Sequence, residues 1–134
     1  MLDPADYAAR VQVLIAKPLF QEPHRDLAIP PGWLPIIEGI VSRIEHLPDV
    51  HVRQIKEKFG GLRVNTTGFV DLVNMQEPSL KTCFVCGEPG ERRKTGGLLF
   101  TVCDQHDVGQ AAIAELFIPY RAALAATGGS AWVW

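Results

Sequence analysis

The sequence contains only three cysteines in 134 residues, and this odd number excludes a closed set of disulfides. Long hydrophobic runs are also missing, because none approaches the roughly 18–20 apolar residues that a membrane-spanning helix needs. The first ten residues, MLDPADYAAR, lack the positively charged and apolar segments of a secretory signal. We therefore expect a cytoplasmic protein that is not held in a membrane.

The sequence also lacks a large excess of either positive or negative charge. Thirteen basic and fifteen acidic residues give a formal net charge of −2, which argues against a globally basic nucleic-acid-binding protein. The hydrophobic fraction of 47% and the charged fraction of 21% are those of a globular protein with a real core. The length predicts one domain, residues 1–134.

The three cysteines occur at spacings typical of a structural zinc site. Cys83 and Cys86 form a C-x2-C-G knuckle, and after sixteen intervening residues Cys103 and His106 form a C-x2-H pair. Two such pairs, separated by the length of a β-hairpin, predict a tetrahedral Cys3His zinc site. Asp104 is the alternative fourth ligand, since carboxylates also bind zinc. A redox-active C-x-x-C pair and ordinary buried cysteines are the other interpretations.

Motifs of common enzyme classes are absent. The sequence has no GxxxxGK[ST] phosphate loop, no GxGxxG after a strand, no GxSxG and no HExxH. Every cysteine belongs to the predicted zinc site, and four protein ligands leave that metal no open coordination position. The other histidines, His24, His46 and His51, have no partner at ligand spacing and are expected at the surface or at an edge. We therefore predict that the protein is not an enzyme.

The predicted fold class is α+β, with helices packed on a β-hairpin sheet and a zinc-ribbon-like Cys3His knuckle. Four consecutive segments make up the single domain. They are an N-terminal helix and proline-rich connection (1–31), a helix, β-hairpin and short helix (32–76), the zinc ribbon (79–106), and a C-terminal helix and tail (107–134).

Hydrophobic periodicity and capping residues predict where the elements lie. Helices are expected over residues 4–17, 33–47 and 69–76, with a further one after His106. Asp3 is predicted to cap the first helix, and Pro78 to end the third. Two β-rich runs joined by Gly60-Gly61 predict a hairpin with a two-residue turn.

Residues 54–63 read QIKEKFGGLR and are followed by the CxxCG knuckle and a CDxH sequence. Together with Gly32-Trp33, this combination resembles a group of small zinc-knuckle proteins of phages and bacterial genomes. The resemblance covers residues 32–106 and implies a zinc-bearing α+β protein, but no particular activity. Two features depart from the pattern of that group. Val64-Asn65 stand where aromatic residues are usual, and Pro78 interrupts the helix that leads into the first cysteine.

Eight basic and five acidic residues between positions 53 and 94 give this window a net charge of +3. Such a patch is compatible with nucleic-acid binding, and Phe59 beside lysines could stack on a base. Phosphate binding usually requires a stronger local field. The candidate binding residues are Lys56, Lys58, Arg63, Arg92, Arg93, Lys94, Trp132 and Trp134.

Binding to a protein partner is the function that we expect. Trp132 and Trp134 are either exposed anchors for a partner or for a second copy of the chain, as in a homodimer, or part of a tail strand docked on the core. By analogy with phage genes, the protein would be an inhibitor or regulator of a host system, such as an anti-CRISPR protein. The alternative is a nucleic-acid-binding zinc-ribbon protein.

Overall fold

The computed structural model describes residues 1–23 and 25–134, which form an α+β fold as predicted. Its α-helices are α1 (Pro4–Ile15), α2 (Leu34–Ile44), α3 (Val73–Gln76), α4 (Gln110–Leu116) and α5 (Ile118–Ala126). Its strands are β1 (Asp26–Leu27), β2 (Val52–Lys58), β3 (Gly61–Thr66), β4 (Glu91–Thr95) and β5 (Leu98–Val102). Short 3₁₀ helices cover Pro18–Phe20, Pro31–Trp33, Glu77–Lys81 and Asp104–His106. Within the described ranges, no helix has the length and apolar character needed to cross a membrane.

The first two helices form close to where the sequence predicts them. Asp3 caps α1, because its side chain accepts hydrogen bonds from the backbone N–H groups of Ala5 and Asp6. Helix α2 is shorter than the predicted 33–47. A 3₁₀ turn precedes it at Pro31–Trp33, and the α-helix ends at Ile44. Its buried residues are Leu34, Ile37, Ile40, Val41 and Ile44.

The larger sheet has the strand order β1-β2-β3, with β1 parallel and β3 antiparallel to β2. Ile55 lies opposite Val64, and both are buried against the core. Lys56 lies opposite Arg63 on the outer face, since successive side chains of a strand point to opposite faces. The hairpin therefore has one apolar face and one basic face.

The turn of this hairpin lies one residue earlier than predicted. Lys58 pairs with Gly61, so that the turn residues are Phe59 and Gly60, not Gly60-Gly61. Their φ values of 54° and 82° are both positive, as a type I′ turn requires. The carbonyl oxygen of Gly60 accepts a hydrogen bond from Thr101 Oγ1 (2.6 Å), which holds the turn against β5.

Side chains of α3 and of the 3₁₀ helix after it cap the free edge of β3. Backbone N–H groups of β3 donate to the side chains of Gln76 (2.6 Å) and Ser79 (2.9 Å), and these bonds satisfy edge donors that could otherwise pair with another strand. The predicted helix over 69–76 is only partly formed, because α3 begins at Val73. Pro78 does not end the segment but lies inside the 3₁₀ helix that continues it.

Strands β4 and β5 form a second, two-stranded sheet, which together with the cysteine-bearing loops on either side is called the ribbon below. Gly96 and Gly97 have φ values of 58° and 85° and form its two-residue turn. The backbone N–H of Phe84 donates to Thr101 O (3.0 Å), which fixes the first cysteine loop to β5.

The C-terminal segment contains two helices where one was predicted. Pro119 lies in the first turn of α5, and the break falls at Phe117, because proline cannot donate the hydrogen bond that a continuous helix needs there. The tail after α5 returns to the core. Four aromatic rings pack there with neighbouring centroids 5.4–5.8 Å apart, namely Phe84, Phe100, Phe117 and Trp134.

Candidate metal centre and the neighbouring groove

Four predicted metal ligands come together at one end of the ribbon. Cys83 and Cys86 lie on the loop before β4, whereas Cys103 and His106 directly follow β5. Their donor atoms all lie within 4.8 Å of one another. The structure therefore confirms that the two short-spaced pairs form one candidate metal site.

Distances between the donor atoms are close to the edges of a tetrahedral metal site, and of three such distances the one between Cys103 and His106 is the shortest. Cys86 Sγ lies 3.7 Å from Cys103 Sγ, and His106 Nδ1 lies 3.6 Å from Cys83 Sγ and 3.2 Å from Cys103 Sγ. Metal–sulfur bonds of about 2.3 Å and metal–nitrogen bonds of about 2.0 Å would give tetrahedral edges of roughly 3.5–3.8 Å. Cys86 Sγ and Cys103 Sγ are too far apart for a disulfide, which needs about 2.05 Å, and all three cysteines are free.

The backbone of the first loop is shaped to point both of its sulfurs the same way. Cys83 N–H donates to Glu88 O, and Gly87 N–H donates to Cys83 O, both at 2.8 Å. Gly87 has a φ of 82°, a conformation that glycine adopts without strain. The N–H of Glu88 also approaches Cys86 Sγ at 3.4 Å, and such a donor stabilises a thiolate.

Burial and local hydrogen bonds shift the pKa values of three of the ligands, and not all in the same direction. Burial raises the pKa of the Cys86 thiol to about 12. Burial also opposes ionisation of Cys103, but hydrogen bonds from Cys86 and from the backbone of His106 and Gln105 lower its pKa. Burial and the nearby N-terminal ammonium lower the pKa of His106 and so favour the neutral imidazole that can bind a metal. A bound dication would favour the Cys86 thiolate, whose formation burial opposes.

Asp104 does not belong to the ligand set. Its side chain is 94% exposed and forms an ion pair with Arg93 at 2.6 Å. Arg93 also pairs with Glu91 and Asp107, both at 3.2 Å. Arg93 was predicted as part of the binding surface, but its guanidinium is occupied by three carboxylates beside the metal site.

Gly32 and Trp33 fasten the start of α2 to the first cysteine loop, a role that the sequence did not reveal. Gly32 N–H donates to Phe84 O (2.8 Å), and Trp33 Nε1 donates to Thr82 O (2.9 Å). A Cβ on Gly32 would lie only 2.1 Å from the carbonyl oxygen of Cys83. Only glycine fits at this contact, because any Cβ would overlap the backbone of the first cysteine loop.

Four of the five remaining basic candidates lie on or near the hairpin β2–β3, whereas Lys94 lies in β4 of the ribbon. Lys56 and Arg63 lie opposite each other on the outer face of the hairpin. Lys58 ends β2 beside the turn, with its Nζ 5.6 Å from the centre of the Phe59 ring, and the stem of Arg92 approaches Gly60 in the turn. Among the residues that the structure describes, none of these four cations forms an ion pair. Their charges are therefore available to another molecule.

A groove separates the tip of this hairpin from the tip of the ribbon, and it is called the tip groove below. Its volume is about 810 Å³. One wall is Glu57–Phe59, the other is formed by Lys94 and residues 97–99, and Phe100 and Trp134 also line it. Thus Phe59 and two predicted lysines share one concave surface.

The two tryptophans of the tail have different environments. Trp134 is half-buried in the aromatic core, and its Nε1 donates to Glu57 Oε1 (3.3 Å). Trp132 is 58% exposed, and its Nε1 donates to Asp26 (2.7 Å). The backbone of Trp132 forms a parallel bridge with Ala28, directly after β1, and its N–H donates to Leu27 O. The tail is therefore docked on the protein itself, and only Trp132 is largely open to solvent.

His46 and His51 take no part in a metal-ligating cluster within the described residues, and His24 lies outside them. Comparison of the chain with protein-family models, with curated proteins and with solved structures gives no match.

Proposed function

We propose that the protein is a non-enzymatic, zinc-stabilised module that binds a protein partner. A set of three thiolates and an imidazole binds zinc in preference to magnesium or calcium, which prefer oxygen ligands. The close grouping of the four donor atoms supports a tetrahedral zinc ion. Four protein ligands would fill its coordination sphere, so that the ion would stabilise the fold without binding a substrate.

The exposure and backbone conformation of Phe59 support the binding proposal most directly. Its side chain is 64% exposed at the hairpin turn, and its backbone φ is 54°. This left-handed conformation costs a non-glycine residue about 1–2 kcal/mol, and glycine or asparagine would suit the position better. An exposed aromatic side chain kept in a strained turn is typical of a residue that contacts another molecule.

The distribution of charge favours a protein over a nucleic acid. The chain is acidic overall, with a net charge of −2, and three carboxylates neutralise Arg93. Glu57 lines the same groove as Phe59. A polyanion would be repelled by much of this surface, whereas a protein partner can match alternating charges.

Nucleic-acid binding is the second candidate, because hairpin β2–β3 carries two adjacent cations on its outer face. Lys56 lies directly opposite Arg63 there, and Lys58 follows at the end of β2. Like charges in opposite positions destabilise a sheet, and a bound phosphate group would remove that repulsion.

The resemblance to phage proteins extends the proposal to the kind of partner. The partner would be a component of a host system, and the module would act as its inhibitor or regulator, as an anti-CRISPR protein does. Identifying a captured host protein would name that system.

A pull-down from lysate of the host organism, with and without nuclease, tests the proposal. We expect recovery of the partner to survive nuclease and to be lost with Phe59→Gly. Glycine relieves strain of about 1–2 kcal/mol in the turn. It also raises the conformational entropy of the unfolded chain, which costs about 0.4–1 kcal/mol of stability, so this variant should be at least as stable as the parent. Lost recovery would then not result from unfolding.

Phe69→Gly is the matched control, since Phe69 is 98% exposed and does not line the tip groove. We expect it to recover the partner as the parent does. Recovery that disappears with nuclease would favour the nucleic-acid candidate. Equal recovery by Phe59→Gly and the parent would contradict a binding role for Phe59.

A further inference from the structure

The tip groove combines a rigid apolar base with polar walls. Trp134 stacks edge-on against Phe100 at a centroid distance of 5.4 Å, and a hydrogen bond to Glu57 Oε1 holds its indole in place. Phe59 and Leu98, one from each hairpin, are 64% and 43% exposed beside this base. An apolar side chain that entered the groove would therefore contact aromatic and aliphatic surface without reorganising it.

The groove also carries two positive charges, and Nζ of one of them, Lys58, lies 5.6 Å from the centre of the Phe59 ring. Lys58 belongs to the hairpin wall and Lys94 to the ribbon wall, and neither forms an ion pair within the described part of the chain. The one acidic residue of the walls, Glu57, is already engaged. Its Oε2 accepts from Gly60 N–H (2.8 Å) and its Oε1 from Trp134 Nε1 (3.3 Å). These neutral donors hold the carboxylate in place but leave its negative charge, so that Lys58, Lys94 and Glu57 together give the groove a net charge of +1.

We propose that the tip groove binds an acidic segment of a partner protein. An apolar side chain of that segment contacts Phe59, Leu98 and Trp134, and flanking carboxylates pair with Lys58 and Lys94. This inference rests on the proposed function and names the chemistry of its partner. A peptide fits the groove better than a nucleic acid, because the apolar contact lies between only two cations and beside Glu57, whereas a nucleic acid needs a track of cations along its phosphates.

A random twelve-residue peptide library displayed on phage tests this inference. Selection uses the zinc-loaded full chain, with counter-selection on Lys58→Glu/Lys94→Glu. We expect the enriched peptides to carry several Asp or Glu residues around one Phe, Tyr, Trp or Leu. Their affinity should fall at least tenfold on Lys58→Ala/Lys94→Ala and decrease with added salt, because the pairs are partly exposed.

Lys56→Ala/Arg63→Ala is the matched control. It also removes two cations, but from the outer face of the hairpin and not from the groove walls. Peptide affinity should change less than twofold in this variant. Zinc content and melting temperature, measured for each variant, exclude loss of fold as the cause of any change.

Three results would overturn the inference. They are failure to enrich any peptide, enrichment of peptides without acidic residues, and equal peptide affinity for the parent and Lys58→Ala/Lys94→Ala. The oligonucleotide dT12 is tested in the same way. If dT12 binds more tightly than the peptides and its binding depends on the same two lysines, the ligand of the groove is a nucleic acid and not a peptide. If Lys58→Ala/Lys94→Ala still captures a nuclease-resistant partner from lysate, the tip groove is not the binding site, but the proposed function stands. If capture itself is abolished by nuclease, the proposed function fails.

Discussion

Replacing Gly32 with alanine tests the contact between the start of α2 and the first cysteine loop. The added Cβ would lie 2.1 Å from Cys83 O, 2.6 Å from Phe84 C and 2.7 Å from Gly87 N. Because real Cβ atoms keep at least 3.0 Å, one element must move by about 0.9 Å. All three contacts are backbone atoms, which cannot rotate away as a flexible side chain can.

The free-energy cost follows from the contacts that this movement disturbs. Overpacking in a dense region costs about 1–3 kcal/mol. The hydrogen bonds from Gly32 N–H to Phe84 O and from Trp33 Nε1 to Thr82 O are each worth about 1 kcal/mol. We therefore expect Gly32→Ala to lower the free energy of unfolding by about 3–5 kcal/mol. This is a large part of the roughly 5–15 kcal/mol that is typical of a folded protein. Zinc affinity should fall as well, because the displaced atoms flank Cys83.

Urea unfolding of the zinc-loaded protein, followed by tryptophan fluorescence, measures this loss. Gly39→Ala is the control. Gly39 also lies in the α2 region, but a Cβ there would meet nothing within 4 Å, so that alanine should stabilise the helix by about 1 kcal/mol. The reasoning is refuted if Gly32→Ala unfolds within about 0.5 kcal/mol of the parent and binds zinc equally well.

Two further changes test the hairpin turn and the tail. Gly60→Ala should cost about 1–2 kcal/mol because of its positive φ. Gly61→Ala should cost less than 1 kcal/mol, since only the end of the Leu80 side chain lies near at 3.2 Å; equal losses in thermal unfolding would mean that the turn lies elsewhere. Trp134→Ala should cost about 3 kcal/mol by opening the aromatic core, whereas Trp132→Ala should cost about 1 kcal/mol or less. The reverse order in urea unfolding would contradict the docked tail.

The metal site could be predicted because its signal is local. A C-x2-C-G and a C-x2-H each bring two ligands together within one turn of chain, and the hairpin between them closes the distance. The α1 cap at Asp3 and the alternating burial of β3 are local in the same sense. Sequence spacing therefore identified Cys83, Cys86, Cys103 and His106 correctly as one group.

The position of the hairpin turn could not be predicted in this way. Gly60-Gly61 and Phe59-Gly60 turns differ by a two-residue shift in strand pairing and bury the same face of each strand, so the hydrophobic pattern does not distinguish them. Contacts distant in sequence favour the observed register. Thr101 holds the carbonyl of Gly60, and Glu57 binds both Gly60 N–H and the indole of Trp134.

The role of Gly32 and the occupation of Arg93 were missed for the same reason. Gly32 meets Cys83, fifty-one positions away, and Arg93 meets carboxylates that follow β5. The break at Pro119 is different, because that proline was a local signal of a helix start and could have been recognised from the sequence.

Native mass spectrometry of protein purified without chelator tests the central claim most directly, namely that a zinc ion bound by four side chains stabilises this scaffold. The account predicts one zinc per chain in the parent and none bound stably in Cys86→Ser. It also predicts that removing zinc with a chelator unfolds the ribbon, because the binding free energy of a structural zinc, about 10–16 kcal/mol, is also folding free energy. A parent without stoichiometric zinc that melts at the same temperature with and without chelator would contradict the account.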